Sequence, residues 1–260
     1  MGPGNECRDD KFGVAMAGLS SMKRVNPAGV GPRLGVVTGL ASEAVVATAL
    51  LDDDCPVRVA CAGASAGRAA VLARQLVDAG VNALLSFGIA GALDPKLRSG
   101  DLVIAKEVIS DDAERYACDA DWQEALRSAL AEAHLPCRRG TILGSTRLRR
   151  EPGDKAALFS GTGCLAVDME SAAVGAIAAE AGLPFLAVRA VADRAQDALP
   201  ALVEDAVLAD GRAAVGRTLA ALIRHPSQLP ATLRLARQSS QALARLRRLE
   251  AVKDALFGGF

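Results

Sequence analysis

The stretch "LGVVTGLASEAVVATALL", residues 34–51, decides how the chain is read. Its first five residues are apolar without alternation and too few for a helix, so they predict a strand covered on both faces. Gly39 then breaks the run, and alanines and valines continue at helical spacing behind Ser42 and Glu43. A strand, a tight turn and a helix in that order make one half of a βαβ unit. The pattern recurs, predicting strands at 34–38, 57–61, 83–88, 101–110, 140–145, 165–169 and 184–192 and helices at 42–51, 67–79, 121–134, 154–160, 170–181 and 203–223. The fold class is therefore α/β, a three-layer sandwich around a central mixed, mostly parallel sheet.

The chain has 260 residues, 51% of them apolar, enough to fill one sizeable core. Thirty basic residues balance thirty acidic ones, so no global charge points to nucleic acid. The balance is local, however: residues 224–260 hold seven basic side chains against two acids, a surplus of five that the rest of the chain offsets. Cys7, Cys55, Cys61, Cys118, Cys137 and Cys164 form no C-x-x-C pair and there are two histidines, so a zinc site is not expected. Free thiols fit a cytoplasmic location. Acids precede the short apolar patch at 12–19, which argues against a signal peptide, and residues 1–31 are read as a flexible leader. No run reaches transmembrane length. The main domain is placed at 32–223 and a basic, amphipathic helical extension at 224–260.

In open α/β sheets, ligands bind off the carboxyl ends of the strands. The loops expected there are "TGLASE" (38–43), "AGASAGR" (62–68) and "FGIAGAL" (87–93), joined by the acidic stretches "DMES" (168–171) and "VRAVADRAQD" (188–197). Neither G-x-G-x-x-G after the first strand nor G-x-x-x-x-G-K-[ST] is present, and no G-x-S-x-G elbow exists. Dinucleotide, Walker-type and serine-hydrolase sites are excluded on that basis. Carboxylates remain. Glu170 opens a helix, where an acid complements the macrodipole as readily as it serves catalysis. Asp193 reads equally as an N-cap or as a partner of Arg189 or Arg194.

"DMES" followed by "FLAVRAVAD" (185–193), together with "SFGIAGAL", "GDLVIA" and the early "TGLASEA", resembles the purine-nucleoside phosphorylase and 5′-methylthioadenosine/S-adenosylhomocysteine nucleosidase superfamily. The resemblance covers 33–223, and its most specific part is M-E followed about twenty residues later by R-x-x-x-D. The wording "VRAVADRAQDALP" and the basic tail after "HPSQLP" look most like the hopanoid-associated phosphorylases. The resemblance implies a nucleoside-phosphorylase-like fold and cleavage of an N-glycosidic bond. It assigns Asp193 as general acid for the departing purine, Glu170 to the ribose hydroxyls with Met169 beneath the sugar, and Glu43 to an attacking water. Gly88, Ala90, Gly91 and Leu148 would line the substrate, Leu148 standing where related nucleosidases often have a neighbouring aromatic. Such chemistry suits the residues, because an oxocarbenium-like sugar needs an acid for its leaving group and oriented acceptors for its hydroxyls.

The resemblance calls for no cofactor beyond inorganic phosphate as an optional co-substrate, for which Gly39 and Arg68 are the candidate contacts. Ser86 and Ile89 stand where one phosphorylase branch has an arginine and a serine, yet the nearest resemblance tips the expectation slightly to phosphorolysis. Expected partners are a nucleoside, a second copy of the chain and no nucleic acid. In the tail, Leu235, Ala242, Leu246 and Leu249 share a helical face ringed by Arg234, Arg237, Arg245 and Arg248. That face fits packing against protein better than a membrane surface, but a lipid-linked nucleoside from hopanoid biosynthesis would give reason for peripheral membrane contact.

Overall fold

The computed structural model describes residues 34–52, 56–205, 207–208 and 210–260, so the leader expected at 1–31 lies outside the described residues. Its elements run β1 (Leu34–Thr38), α1 (Ala41–Ala49), β2 (Val57–Cys61), α2 (Ala66–Asp78), β3 (Ala83–Ala92), β4 (Leu102–Ser110), β5 (Arg115–Ala117), α3 (Ala120–Glu132), β6 (Cys137–Gly144), α4 (Pro152–Thr162), β7 (Ala166–Asp168), α5 (Ser171–Ala181) and β8 (Phe185–Val191). Then follow α6 (Val215–Arg224), α7 (Leu229–Arg247) and α8 (Lys253–Gly258). The pattern predicts this alternation, and the sheet is mixed as expected. β1 lies parallel between β2 and β3, β3 pairs in parallel with β8, and β4 runs parallel to β6 but antiparallel to β8.

β3 decides the architecture because it is long enough to serve two neighbours. Leu84–Ala90 pair with β8, whereas Gly91 and Ala92 turn to β7 in antiparallel register. With β7 on β6, β6 on β4 and β4 on β8, the strands β3, β8, β4, β6 and β7 close a ring of pairings. The segment "GIAGA", expected as a loop, is thus strand, which fixes its backbone groups in ladders. The short β5 gives no signal in sequence, since three residues carry no period.

Helix ends follow local chemistry. Asp119 caps α3 by accepting the Trp122 N–H at 2.8 Å, and Pro152 sits in the first turn of α4, where its missing N–H costs nothing. The helix expected over 203–223 is broken: a short 3-10 turn at Ala201–Asp205 precedes α6, with an isolated bridge between Val207 and Ala213. Gly211, at φ 79°, reverses the chain there, a conformation that ends helices.

The tail is helical, and its apolar face is not a free surface. Ala242, Leu246, Leu249, Val252, Leu256 and Phe257 are buried in the same core as the sheet, and the Trp122 indole N–H donates to the carbonyls of Ala255 and Leu256. Arg245 donates to the Gly100 carbonyl at 2.9 Å and Lys253 pairs with Asp52 at 2.6 Å. Of the four side chains from which the face was read, Ala242, Leu246 and Leu249 are inside the protein and Leu235 is partly buried, so the extension at 224–260 completes the core of the domain before it and the structure gives peripheral membrane contact no support. Among the described residues, no helix is long and apolar enough to cross a membrane.

Candidate active site

Glu43 sits in the first turn of α1 and is almost fully buried. Its Oε2 accepts the N–H groups of Gly39 and Leu40 at 2.8 and 2.7 Å, and its Oε1 accepts that of Ile89 at 2.8 Å. The bond to Leu40 is the backward half of a capping box, so one carboxylate starts the helix and ties it to β3. Burial pushes its carboxyl above the ordinary range, against the pull of these amides and of Arg189.

Glu170, at the head of α5, approaches from the other side. A β-carbon on Gly39 would come within 2.7 Å of Glu170 Oε1, and one on Gly88 within 2.6 Å of the Glu43 carboxyl carbon. These two glycines are what let the carboxylates in. Burial, then the charges of Asp168 and Glu43, raise the Glu170 carboxyl to about 8. Its Oε1 is buried with no hydrogen-bond partner, the kind of orphaned acceptor that a ligand donor would satisfy.

Asp168 sets this position. Its Oδ1 accepts the N–H groups of Glu170 and Ser171 and the Ser171 hydroxyl, all within 3.0 Å, while its Oδ2 accepts Arg189 Nε at 2.7 Å. Arg189 also donates to Ser86 Oγ at 2.6 Å. Asp168, Arg189 and Ser86 are all buried, so the pair is held by bonds on both partners.

Asp193 follows β8. Its carbonyl accepts the Ala92 N–H, and its Oδ2 takes a short bond from the buried ammonium of Lys155 on α4. Burial raises the Asp193 carboxyl, and Lys155 opposes that rise. A cavity of about 40 Å³ joins Asp193 to Gly91, Leu148, Met169, Asp168, Arg147, Arg149, Val167 and Leu199.

Of the residues singled out in sequence, Asp193, Met169, Gly91 and Leu148 therefore share one cavity, and Glu43, Glu170, Gly39 and Gly88 meet beside it. Glu170 links the two groups, because Asp168 both lines the cavity and holds the Glu170 N–H. The Ala90 carbonyl accepts the Ala192 N–H at 2.8 Å. Of the two residues expected at a phosphate, Gly39 directs its N–H to Glu43, and Arg68 donates to the Gly63 carbonyl at 2.9 Å within its own loop. Sequence reasoning missed Lys155, a lone base in the helix expected at 154–160, and the Ser86 link to Arg189. Among the described residues, no cluster of histidine, cysteine and acidic side chains could hold a metal ion.

Residues 40–225 match the Phosphorylase superfamily, more than half of the chain. The chain belongs to that superfamily. Among curated relatives it is 30% identical over 129 residues to a 5′-methylthioadenosine/S-adenosylhomocysteine nucleosidase of Geobacillus kaustophilus, covering 42% of this chain and 54% of the relative. It is 26% identical over 134 residues to an aminodeoxyfutalosine nucleosidase of Helicobacter pylori, covering 45% of this chain and 58% of that one. The chain thus spans little more than half the length of the curated relatives it matches. Among solved structures, the Neisseria meningitidis 5′-methylthioadenosine/S-adenosylhomocysteine nucleosidase, crystallised with methylthio-immucillin-A, superposes with a TM-score of 0.67 at 18% identity, over 86% of this chain and 99% of that chain. A futalosine hydrolase of Helicobacter pylori gives 0.64 at 15% identity, over 84% and 96%. At such identities the superpositions establish the shared fold of this superfamily member.

Proposed function

We propose that this protein cleaves the N-glycosidic bond of a 5′-substituted adenosine, releasing adenine, with water as the nucleophile. The observation that carries the reading is the buried meeting of Glu43 and Glu170 beside Asp193, with Glu170 Oε1 unpartnered. A ribose hydroxyl supplies the missing donor. Asp193 gives a proton to a nitrogen of the departing purine, so the electron pair of the breaking bond ends on a neutral base. Water, oriented by Glu43, adds its oxygen to the sugar carbon and passes a proton to that carboxylate.

Water is favoured over phosphate because the amides of Gly39, Leu40 and Ile89 all donate to Glu43. A phosphate dianion would find those donors occupied and a buried carboxyl among them, a juxtaposition of like charges in low dielectric. The expectation of phosphorolysis, drawn from the hopanoid-associated resemblance, is retained only as the competing reading. For the 5′ group, Leu148, Met169 and Leu199 in the cavity wall support an apolar substituent, and the same resemblance makes adenosylhopane, from hopanoid biosynthesis, its most specific candidate. Methylthioadenosine and S-adenosylhomocysteine are the substrates to compare, given the relatives. The cavity is far smaller than the few hundred Å³ a nucleoside needs.

Adenine release from these nucleosides, with and without phosphate, is the test. Turnover in phosphate-free buffer is expected. Strict dependence on phosphate would establish phosphorolysis, and binding without adenine release would leave a nucleoside-binding module instead of an enzyme.

A further inference from the structure

Among the described residues two cations are buried: Arg189, which is paired with Asp168 behind Glu170, and Lys155, which the proposed reaction does not use. Its side chain is wholly inaccessible, and its Nζ meets three acceptors: Asp193 Oδ2, the Arg194 carbonyl at 3.2 Å and the Asp197 carbonyl at 3.0 Å. An ammonium has three N–H donors, so this set saturates it. Burying a lysine is costly without such compensation, and a neutral side chain could staple α4 to the loop more cheaply. The placement beside the one carboxyl that faces the leaving group calls for a reason in that carboxyl's chemistry.

We propose that Lys155 is a positioning residue that sets the strength of Asp193 as an acid by neutralising the carboxylate formed when Asp193 gives up its proton. The inference rests on the reading of Asp193 as the proton donor. The step starts from Asp193 protonated on Oδ1, the oxygen not bonded to Lys155. As the glycosidic bond breaks, its electron pair goes to the purine and the Oδ1 proton to a purine nitrogen. The resulting carboxylate is left against the ammonium, which keeps its own protons, and solvent restores the proton to Asp193 after the base departs. Without the ammonium, the same buried carboxyl would hold its proton too tightly to match a purine.

The groups around Asp193 leave this role to Lys155. Asp197, on the same loop, is of like charge, but its carboxylate is taken by Arg194, Gln238 of α7 and Arg234 of α7. Across the cavity, Arg149 is paired with Asp111 at 2.7 Å and Asp168 with Arg189, while Arg147 is exposed to solvent. Lys155 alone among the described cations bonds the Asp193 carboxyl.

The experiment compares wild type with Lys155→Gln, Lys155→Met and Lys155→Arg on two substrates across pH: an adenosine, and a nitrophenyl riboside whose leaving group departs without a proton. The nitrophenyl substrate records the limbs set by Glu43 and Glu170, so the difference between the substrates isolates Asp193. For adenine release, loss of the charge should lower kcat about 10–10²-fold and move the alkaline limb of kcat/KM up by roughly one to three pH units. The nitrophenyl riboside should change less than about threefold, and Lys155→Arg should restore the limb. If Lys155→Met does not fold, Lys155→Gln carries the same comparison, because it keeps a donor for the loop carbonyls. Equal losses on both substrates, or an unmoved limb, would overturn the inference and leave Lys155 as a staple. A wild type that hydrolyses neither substrate would overturn the reading of the site and the inference with it.

Discussion

The site holds buried carboxyls in two opposite settings. Glu43 and Glu170 lie close to each other, and the guanidinium whose charge acts on both, that of Arg189, is bonded to Asp168 instead. Asp193 lies against a directly bonded ammonium. Both settings are buried, which raises all three carboxyls, but only Asp193 has a cation bonded to it to oppose the rise. The difference teaches how one residue type serves two tasks. Carboxyls that accept hydroxyl or water protons work with backbone donors and neighbours of like charge, whereas one that must release a proton during bond cleavage needs a counter-charge for the anion it becomes.

The sharpest break of this comparison is Asp193→Asn, which keeps shape but has no proton to release. Adenine release should fall about 10²–10⁴-fold with little change in ground-state binding. Wild-type turnover in that variant would remove Asp193 from the reaction. Next, Glu170→Gln should lose activity on ribosides far more than on 2′-deoxyribosides, because both changes delete the same hydrogen bond and so combine non-additively. Additive losses would place Glu170 away from the sugar.

The same variant tests the electrostatics. Glu170 is raised to about 8, so between the ordinary carboxylate range and about pH 8 the folded protein holds a proton that the unfolded chain has released. Stability contributed by that protonated form is present at low pH and lost as pH rises through the window. Glu170→Gln has nothing to titrate, so its melting temperature relative to wild type should be higher at pH 8 than at pH 5. A constant difference across that range would show that the carboxyl is not held neutral.

A smaller effect is expected outside the site. Leu246→Ala should cost about 2–5 kcal/mol by opening a cavity beneath α7, measured by denaturant unfolding. The intact protein should not sediment with anionic liposomes through this face, since Leu246 is fully buried. Liposome binding lost in a truncation at residue 224 that still folds would restore the membrane reading of the tail.

The alternation of apolar runs and alanine-rich helices was legible in the sequence because a covered strand and an amphipathic helix impose different periods on side chains. The acidic constellation was legible only through the resemblance, because "DMES" and "RAVAD" read by themselves as helix-terminal or capping acids. Three matters were decided only by tertiary structure. The glycine run at 88–91 became strand because β7 and β8 supplied ladders that no local signal encodes. The face of α7 that sequence left open to protein or lipid was closed by the core, as amphipathicity names a face and not its partner. Lys155 met Asp193 across 38 residues of chain, a pairing without any period or motif, because a buried charge is assigned by the geometry that surrounds it.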